Sequence, residues 1–531
     1  MREDASFETP SRGQVSGLQE AAEGRRPATG PEDEESARRS EVVGVARSGG
    51  LNFVGAAFNQ ALRFSITLLI ARFLGRTDAG LYYQAFSFLA LLGLVASSGF
   101  TVSLTRFVAI HRADGDMGAL KGTVRLSLSY CTSAAIVVGL GLYFASSWLA
   151  TGAFHDPALA PLLKLVALAL PATVFTDAAL SATQGYKTMR PYALINLFFE
   201  PLCRVVLTLV AFALGTGIIG VMVALVVTNY SSSALAGRAL RKLMGRIEEP
   251  ARYNARELFG FSVVTWFTTL ANSGLIWADT ILLGLYRSPA AVGVYQISSR
   301  LVLLATIFVQ PVTTSYAPRV ADLYRRQQLR ALSDTYSLLT SWIFRLALPM
   351  FILLIVFPRE LLSIFGPSFR VGATVTMLLA VGQMINSATG PCGYMLMMSG
   401  RAALQMINNI AALVMNVGLN LWLIPRYGIV GAAIAWMAAI VIFNVVRVVQ
   451  VWFIMRMLPL SMGIAKGLVA GAAAFVLAVA VQSLVSDWLA LVYGTLVVAV
   501  TYVSALIVLR ISADDRLVLG ALVSRLRLKG A

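Results

Sequence analysis

Fourteen runs of apolar residues, each 19 to 25 residues long, divide this chain at about 51–73, 80–102, 123–146, 160–182, 192–214, 217–237, 259–283, 291–314, 336–357, 373–396, 404–424, 430–452, 465–483 and 489–510. A helix of that length crosses a ~30 Å hydrocarbon core. Backbone N–H and C=O groups find no water there, so each run must satisfy them within itself, as an α-helix does. No soluble fold buries that much apolar surface: 57% of the 531 residues are hydrophobic, only 13% are charged, and the mean hydropathy is +0.74. The expected fold is an all-α polytopic membrane protein with 14 transmembrane helices.

The net charge of +17 would point to nucleic acid in a soluble protein. Here its distribution carries more information than its sum. With the amino terminus inside, 32 of the 43 lysines and arginines fall in cytoplasmic tails, loops and helix ends. Seven fall on the other side (Arg72, Arg76, Lys164, Arg287, Arg359, Arg370 and Arg426) and four within spans. That bias matches an even helix count with both termini cytoplasmic. Nucleic acid is not an expected partner; membrane lipids are.

The segments organise the chain. Residues 1–45 are polar, with Pro10, Pro27, Pro31 and the run Glu32-Asp33-Glu34-Glu35, and read as a disordered cytoplasmic tail without the apolar stretch of a signal peptide. Residues 51–237 hold six spans and 259–452 six more. Between them, 238–258 is a basic cytoplasmic linker, read either as an amphipathic helix on the anionic leaflet or as a solvated connection. Two further spans occupy 465–510, and 511–531 is a second cytoplasmic tail.

The two six-span units look like one unit used twice. Moved back by 213 residues, the stretch from Ala278 to Tyr324 lies over residues 65–111 without a gap, placing Thr280 on Thr67, Leu282 on Leu69, Gly293 on Gly80, Tyr295 on Tyr82, Leu304 on Leu91 and Arg319 on Arg106. Gly217-Ile218-Ile219-Gly220 returns as Gly428-Ile429-Val430-Gly431, 211 residues on. Internal repeats of this kind build many transporters.

The chain offers little for catalysis or metal binding. Cys131, Cys203 and Cys392 lie in apolar segments as small packing residues, and His111 and His155 sit in loops without ligand-spaced partners. No nucleotide-binding motif occurs. No cofactor or metal is expected, and the protein does not read as an enzyme.

Three stretches carry a resemblance: ARFLGRTDAGLYYQAFSFLALLGLVASSGF, DTILLGLYRSPAAVGVYQISSRL and LNLWLIPRYGIVGAAIA. Over residues 51 to about 455 the chain resembles the polysaccharide-transport (O-antigen and exopolysaccharide flippase) family of the multidrug/oligosaccharidyl-lipid/polysaccharide exporter superfamily. The resemblance implies two six-helix lobes around a central cavity with two extra carboxyl-terminal helices. It also implies alternating access that carries an undecaprenyl-pyrophosphate-linked oligosaccharide outward, with polysaccharide polymerase and glycosyltransferases as candidate partners.

Ionisable groups at bilayer depth cost about 2.5–3.5 kcal/mol each on insertion scales, so each asks for a role. Arg63, Arg204, Arg300 and Arg345 fall mid-span, and so do Asp177, Glu200 and Asp279. Glu200 and Arg204, four residues apart, share a helix face and can pair. Guanidinium stays charged and its fork matches phosphate oxygens, so Arg63, Arg300 and Arg345 suit a pyrophosphate, with Arg204 beside them. The plainer alternative pairs Asp177 or Asp279 with one of them as structural bridges; the same acids are the candidates for a coupling ion. Asn59, Gln60, Asn272 and Gln310 are weaker cavity candidates. Besides a lipid-linked oligosaccharide flippase, the readings left open are a lipid II flippase and a cation-coupled multidrug exporter. Four mid-span arginines would repel a cationic drug. A membrane glycosyltransferase would need a large outer loop that the chain lacks.

Overall fold

The computed structural model describes the backbone of residues 31–307 and 319–509, and side chains from Phe58 onward apart from those of Asn272 and Asp487. The chain divides into two units, Met1–Gly50 with Ile511–Ala531, and Leu51–Arg510, which holds the spans. The expected tails at 1–30 and 511–531 lie outside the described residues. Helix is assigned from Pro31 onward, within the stretch 1–45 read as the amino-terminal tail.

The described residues form α1 (Pro31–Ser97), α2 (Phe100–Ala113), α3 (Met117–Trp148), α4 (Leu159–Gly185), α5 (Glu200–Ala213), α6 (Gly217–Met244), α7 (Ala255–Tyr286), α8 (Pro289–Leu304), α9 (Leu329–Val356), α10 (Pro358–Ser363), α11 (Ala373–Thr389), α12 (Cys392–Met398), α13 (Ala402–Met455), α14 (Met462–Leu484) and α15 (Asp487–Val508). A π-helical stretch, Ala193–Phe199, leads into α5. Among these residues ten helices are long and apolar enough to cross a membrane, or eleven when the two parts of α7, Ala255–Ala271 and Ser273–Tyr286, set at 52°, count as one span.

The difference from fourteen has identifiable causes. The spans Phe58–Ser97 and Ala402–Met455 have 40 and 54 residues, and each covers two of the apolar runs. At 1.5 Å per residue, 54 residues would extend about 80 Å, far beyond one bilayer core. Each is broken by a glycine in backbone angles that other residues avoid: Gly75 at φ 72°, ψ −174° and Gly428 at φ 60°, ψ −133°. The eighth run, 291–314, appears only as α8, 16 residues, before the chain leaves the described region.

In the first half, α4 packs on α2, α3 and α6. In the second, α13 packs on α7, α11 and α12, and α14 and α15 pair and rest on α9. Many large apolar side chains face outward, Phe144, Trp148 and Val508 among them. In a soluble protein such a surface would aggregate; here it is the lipid-facing side.

The repeat is visible in three dimensions. Tyr83 Oη donates to Thr67 Oγ1 at 3.2 Å, and 213 residues later Gln296 donates to Thr280. The repeated glycines Gly80 and Gly293 meet each other across the two halves. A Cβ on Gly80 would lie 1.7 Å from Pro289 O and 2.9 Å from Gly293 N, and one on Gly293 would lie 2.1 Å from Arg76 O and 3.0 Å from Gly80 N. Arg76 and Pro289 are themselves 213 residues apart. The contact is therefore reciprocal, as a two-fold axis requires.

The linker residues are mostly exposed, and a few of them are tied to the bundle. After α6 ends at Met244, residues 245–254 are non-helical and bind the start of α3. Arg252 N donates to Gly118 O at 3.0 Å, Gly118 N to Glu249 Oε2 at 2.8 Å, and Lys121 Nζ to the carbonyls of Ile247 and Glu249. Asp116, which caps α3 through Ala119 N at 2.8 Å, pairs with Arg252 at 2.5 Å.

Candidate functional site

Four of the singled-out residues line one cavity of about 380 Å³ in the first half: Arg63 from α1, Asp177 from α4, and Glu200 and Arg204 from α5. Asn196, Tyr192 and Asn229 complete its polar wall. Arg204 and Glu200 form the expected i,i+4 pair at 3.0 Å, with side chains 12% and 19% exposed. The pair neutralises itself and leaves Arg63 as the cavity's available cation.

Arg63 is held by a short relay that starts at a proline. Pro201 has no N–H to give the carbonyl of Leu197 four residues earlier. Asn59 Nδ2 donates to that carbonyl at 2.9 Å, and Asn59 Oδ1 accepts from Arg63 Nε at 2.9 Å. The asparagine thus ties α1 to the π-helical stretch and fixes the arginine, a role that no single-helix spacing reveals.

Arg300 on α8 lies close by. Its guanidinium carbon is 4.9 Å from the Trp277 ring centroid and 5.7 Å from that of Tyr83. The aromatic faces stabilise the charge where water is scarce. Arg300 and Arg204 both act electrostatically on Tyr82, and Arg63 and Arg300 are near enough to repel each other. Neither Arg63 nor Arg300 has a carboxylate partner among the described residues.

The other singled-out residues go elsewhere. Arg345 packs between the last helices: a Cβ on Gly467 of α14 would lie 2.8 Å from its Cγ, and Tyr502 Oη of α15 donates to its carbonyl at 2.9 Å. Asp279, 1% exposed, accepts from Tyr295 Oη at 2.5 Å and from Asn420 Nδ2 at 2.7 Å, bonds that no arginine shares. Gln60 is half-buried on α1, while Gln310 and the side chain of Asn272 lie outside the described residues.

A second cavity, about 670 Å³, lies in the other half, walled by α7, α9, α11, α12 and α13. Among the described residues, its one lysine or arginine is Arg447, near the end of α13, and no aspartate or glutamate lines it. Arg447 Nη2 donates to Asn409 Oδ1 at 2.8 Å and Nη1 to Asn444 Oδ1 at 3.2 Å. By its place near a span end, Arg447 groups with the cytoplasmic helix ends in the sequence, and the asparagines at 386, 409 and 444, all in apolar runs, are the signal that sets it apart.

A repeated helical bundle with charged cavities in both halves is the architecture of a membrane transporter, and the comparisons agree. The chain belongs to the polysaccharide biosynthesis protein family, whose profile matches residues 45–324. The MatE family profile matches residues 265–422. A "Probable low-salt glycan biosynthesis flippase Agl15" of Haloferax volcanii is 25% identical over 407 residues, covering 74% of this chain and 80% of that protein. Among solved structures, "Lipid II flippase MurJ, inward closed conformation" superposes with a TM-score of 0.70 at 14% identity, over 86% of this chain and 98% of the other. An inward-facing multidrug resistance MATE family transporter gives 0.64 at 14% identity, over 75% and 94%. These likenesses define the fold. The family is one of transporters, not enzymes, and the protein is a multi-pass membrane protein.

Proposed function

We propose that the protein flips a lipid-linked oligosaccharide, in a bacterial cell an undecaprenyl-pyrophosphate-linked one, across the cytoplasmic membrane by alternating access. The observation that carries this reading is Arg63 on the wall of the first-half cavity with Arg300 close by, neither with a carboxylate partner among the described residues. Two unneutralised guanidinium groups near one another favour a multiply charged oxyanion such as pyrophosphate, while the prenyl tail stays in lipid. They disfavour a cationic drug. Glycosyltransferases would supply the substrate and a polymerase or ligase consume it.

The Arg63→Ala/Arg300→Ala protein should insert and accumulate normally yet lose flipping, since each contact to the anion contributes about 1.5–3 kcal/mol. Lysine at both positions should restore part of the activity, keeping charge without the fork. The measurement is outer-leaflet lipid-linked sugar against protein level. Normal flipping in the double alanine protein would end the pyrophosphate reading.

The same reading takes each side of Gly75 and of Gly428 as a separate crossing, the bent α7 as one, and α8 as the start of another. That yields fourteen spans with both termini cytoplasmic, in two six-helix lobes plus α14 and α15. Cysteine at Ser288 should then react with an impermeant thiol reagent outside intact cells, and cysteine at Arg246 should not. Outside labelling at 246 would reverse the orientation.

A further inference from the structure

The second-half cavity has a chemistry unlike the first. Among the described residues its arginine has no acid partner, and a positive charge uncompensated within the bundle is a costly arrangement unless something pairs with it. Two amides are turned to solvate it. Asn409 and Asn444 give their oxygens to Arg447, and the amide groups behind them are used up internally: Asn444 Nδ2 donates to Asn386 Oδ1 at 2.9 Å, Asn386 Nδ2 to Gln383 Oε1 at 2.9 Å, and Gln405 Nε2 to Asn409 Oδ1 at 3.1 Å. Two buried polar atoms remain without a partner: Arg447 Nε, a charged donor, and Gln405 Oε1, an acceptor. Both residues line the cavity.

A ligand that completes this set must bring an oxyanion for the arginine and a hydroxyl for the glutamine. We propose that the cavity is a second subsite for the transported headgroup, which recognises an acidic sugar residue, its carboxylate or phosphate on Arg447 and a neighbouring hydroxyl on Gln405 Oε1. This rests on the flippase reading above and adds to it: the pyrophosphate engages the first half while an acidic sugar further along the glycan engages the second. A neutral glycan would leave the buried Nε and Oε1 unpaired, and leaving such groups unpaired is how polar sites reject the wrong ligand.

The test uses the full chain in lipid nanodiscs and three prenyl-diphosphate-linked disaccharides that differ only in the terminal sugar: a neutral hexose, the corresponding uronic acid, and a phosphohexose. The wild type should bind at least one acidic form about tenfold or more tighter than the neutral one. Preference for the uronic acid identifies a carboxylate as the natural group, and preference for the phosphohexose a phosphate. Arg447→Gln should remove the preference, so that the acidic and neutral lipids bind alike. Asn409→Asp should do the same by a route that keeps the arginine, because it places a carboxylate 2.8 Å from the guanidinium and fills the site internally. If Arg447→Gln fails to accumulate, Asn409→Asp decides alone. Equal binding of all three lipids by the wild type, or a preference that survives Asn409→Asp, overturns the subsite. Binding of none of the three overturns the flippase reading with it.

Discussion

At the residue scale, the cost of a charge in lipid made most of the first site legible: Arg63, Asp177, Glu200 and Arg204 stand out against apolar neighbours and share one cavity. What stayed hidden depends on contacts between helices. Asn59 reaches Arg63 along its own helix, but its reason for being there is a carbonyl orphaned by Pro201 on another. Arg447 was passed over because a basic residue near a span end is also what the orientation rule supplies. Arg345, equally prominent in the sequence, packs against α14 and α15. Outside the membrane, Asp116 holds the linker, and its N-terminal cap on Ala119, aided by the Arg252 guanidinium, keeps its carboxyl below the ordinary 3.8. A depressed carboxylate contributes stability that is fully present above its unfolded value and is lost as pH falls through the lower folded value. Amide exchange of residues 246–254 should therefore be insensitive to this group near neutral pH, once intrinsic rates are corrected, and rise only below about pH 4. Asp116→Asn should raise it at neutral pH, and unchanged exchange there would mean the ion pair does not hold the strap.

At the scale of elements, hydropathy located the helices but not their joints. Whether two apolar runs form one long helix or two depends on a single glycine's φ, and Gly75 and Gly428 occupy the positive-φ region that makes the break. The seating of α14 was readable and went unread: Gly463, Gly467 and Gly471 recur every four residues, one face of a helix. Their added Cβ atoms would lie 2.2 Å from Ser341, 2.8 Å from Arg345 and 2.6 Å from Leu348 of α9. Small residues let the two backbones approach, since apolar burial alone gives helices no reason to associate in lipid. Gly467→Leu/Gly471→Leu should cost about 1–3 kcal/mol through overpacking and speed amide exchange across residues 462–508 relative to α1–α6. Exchange at the wild-type rate would show that α14 is held by something other than this stripe.

For the whole molecule, the 213-residue offset anticipated a contact as well as a duplication. The two halves meet through equivalent residues, Gly80 on Gly293, with backbone against backbone. Gly80→Ala sets a methyl group 1.7 Å from the Pro289 carbonyl, a main-chain atom that cannot swing aside. The halves must part there, at about 1–3 kcal/mol, seen as a fall of a few degrees in melting temperature in detergent. An unchanged melting temperature would mean that the seam yields freely. The cavities, by contrast, obey no symmetry: one holds two arginines and two acids, the other a lone arginine among amides.

That reciprocal seam bears on ancestry. A contact in which each side presents the same residues to the other is what two identical chains make when they pair, and it needs no invention when a gene doubles and fuses. Nothing larger than glycine fits at that seam, while the cavities of the two halves carry different residues. A protein that began as two equal halves could in this way come to hold the two ends of an unequal cargo.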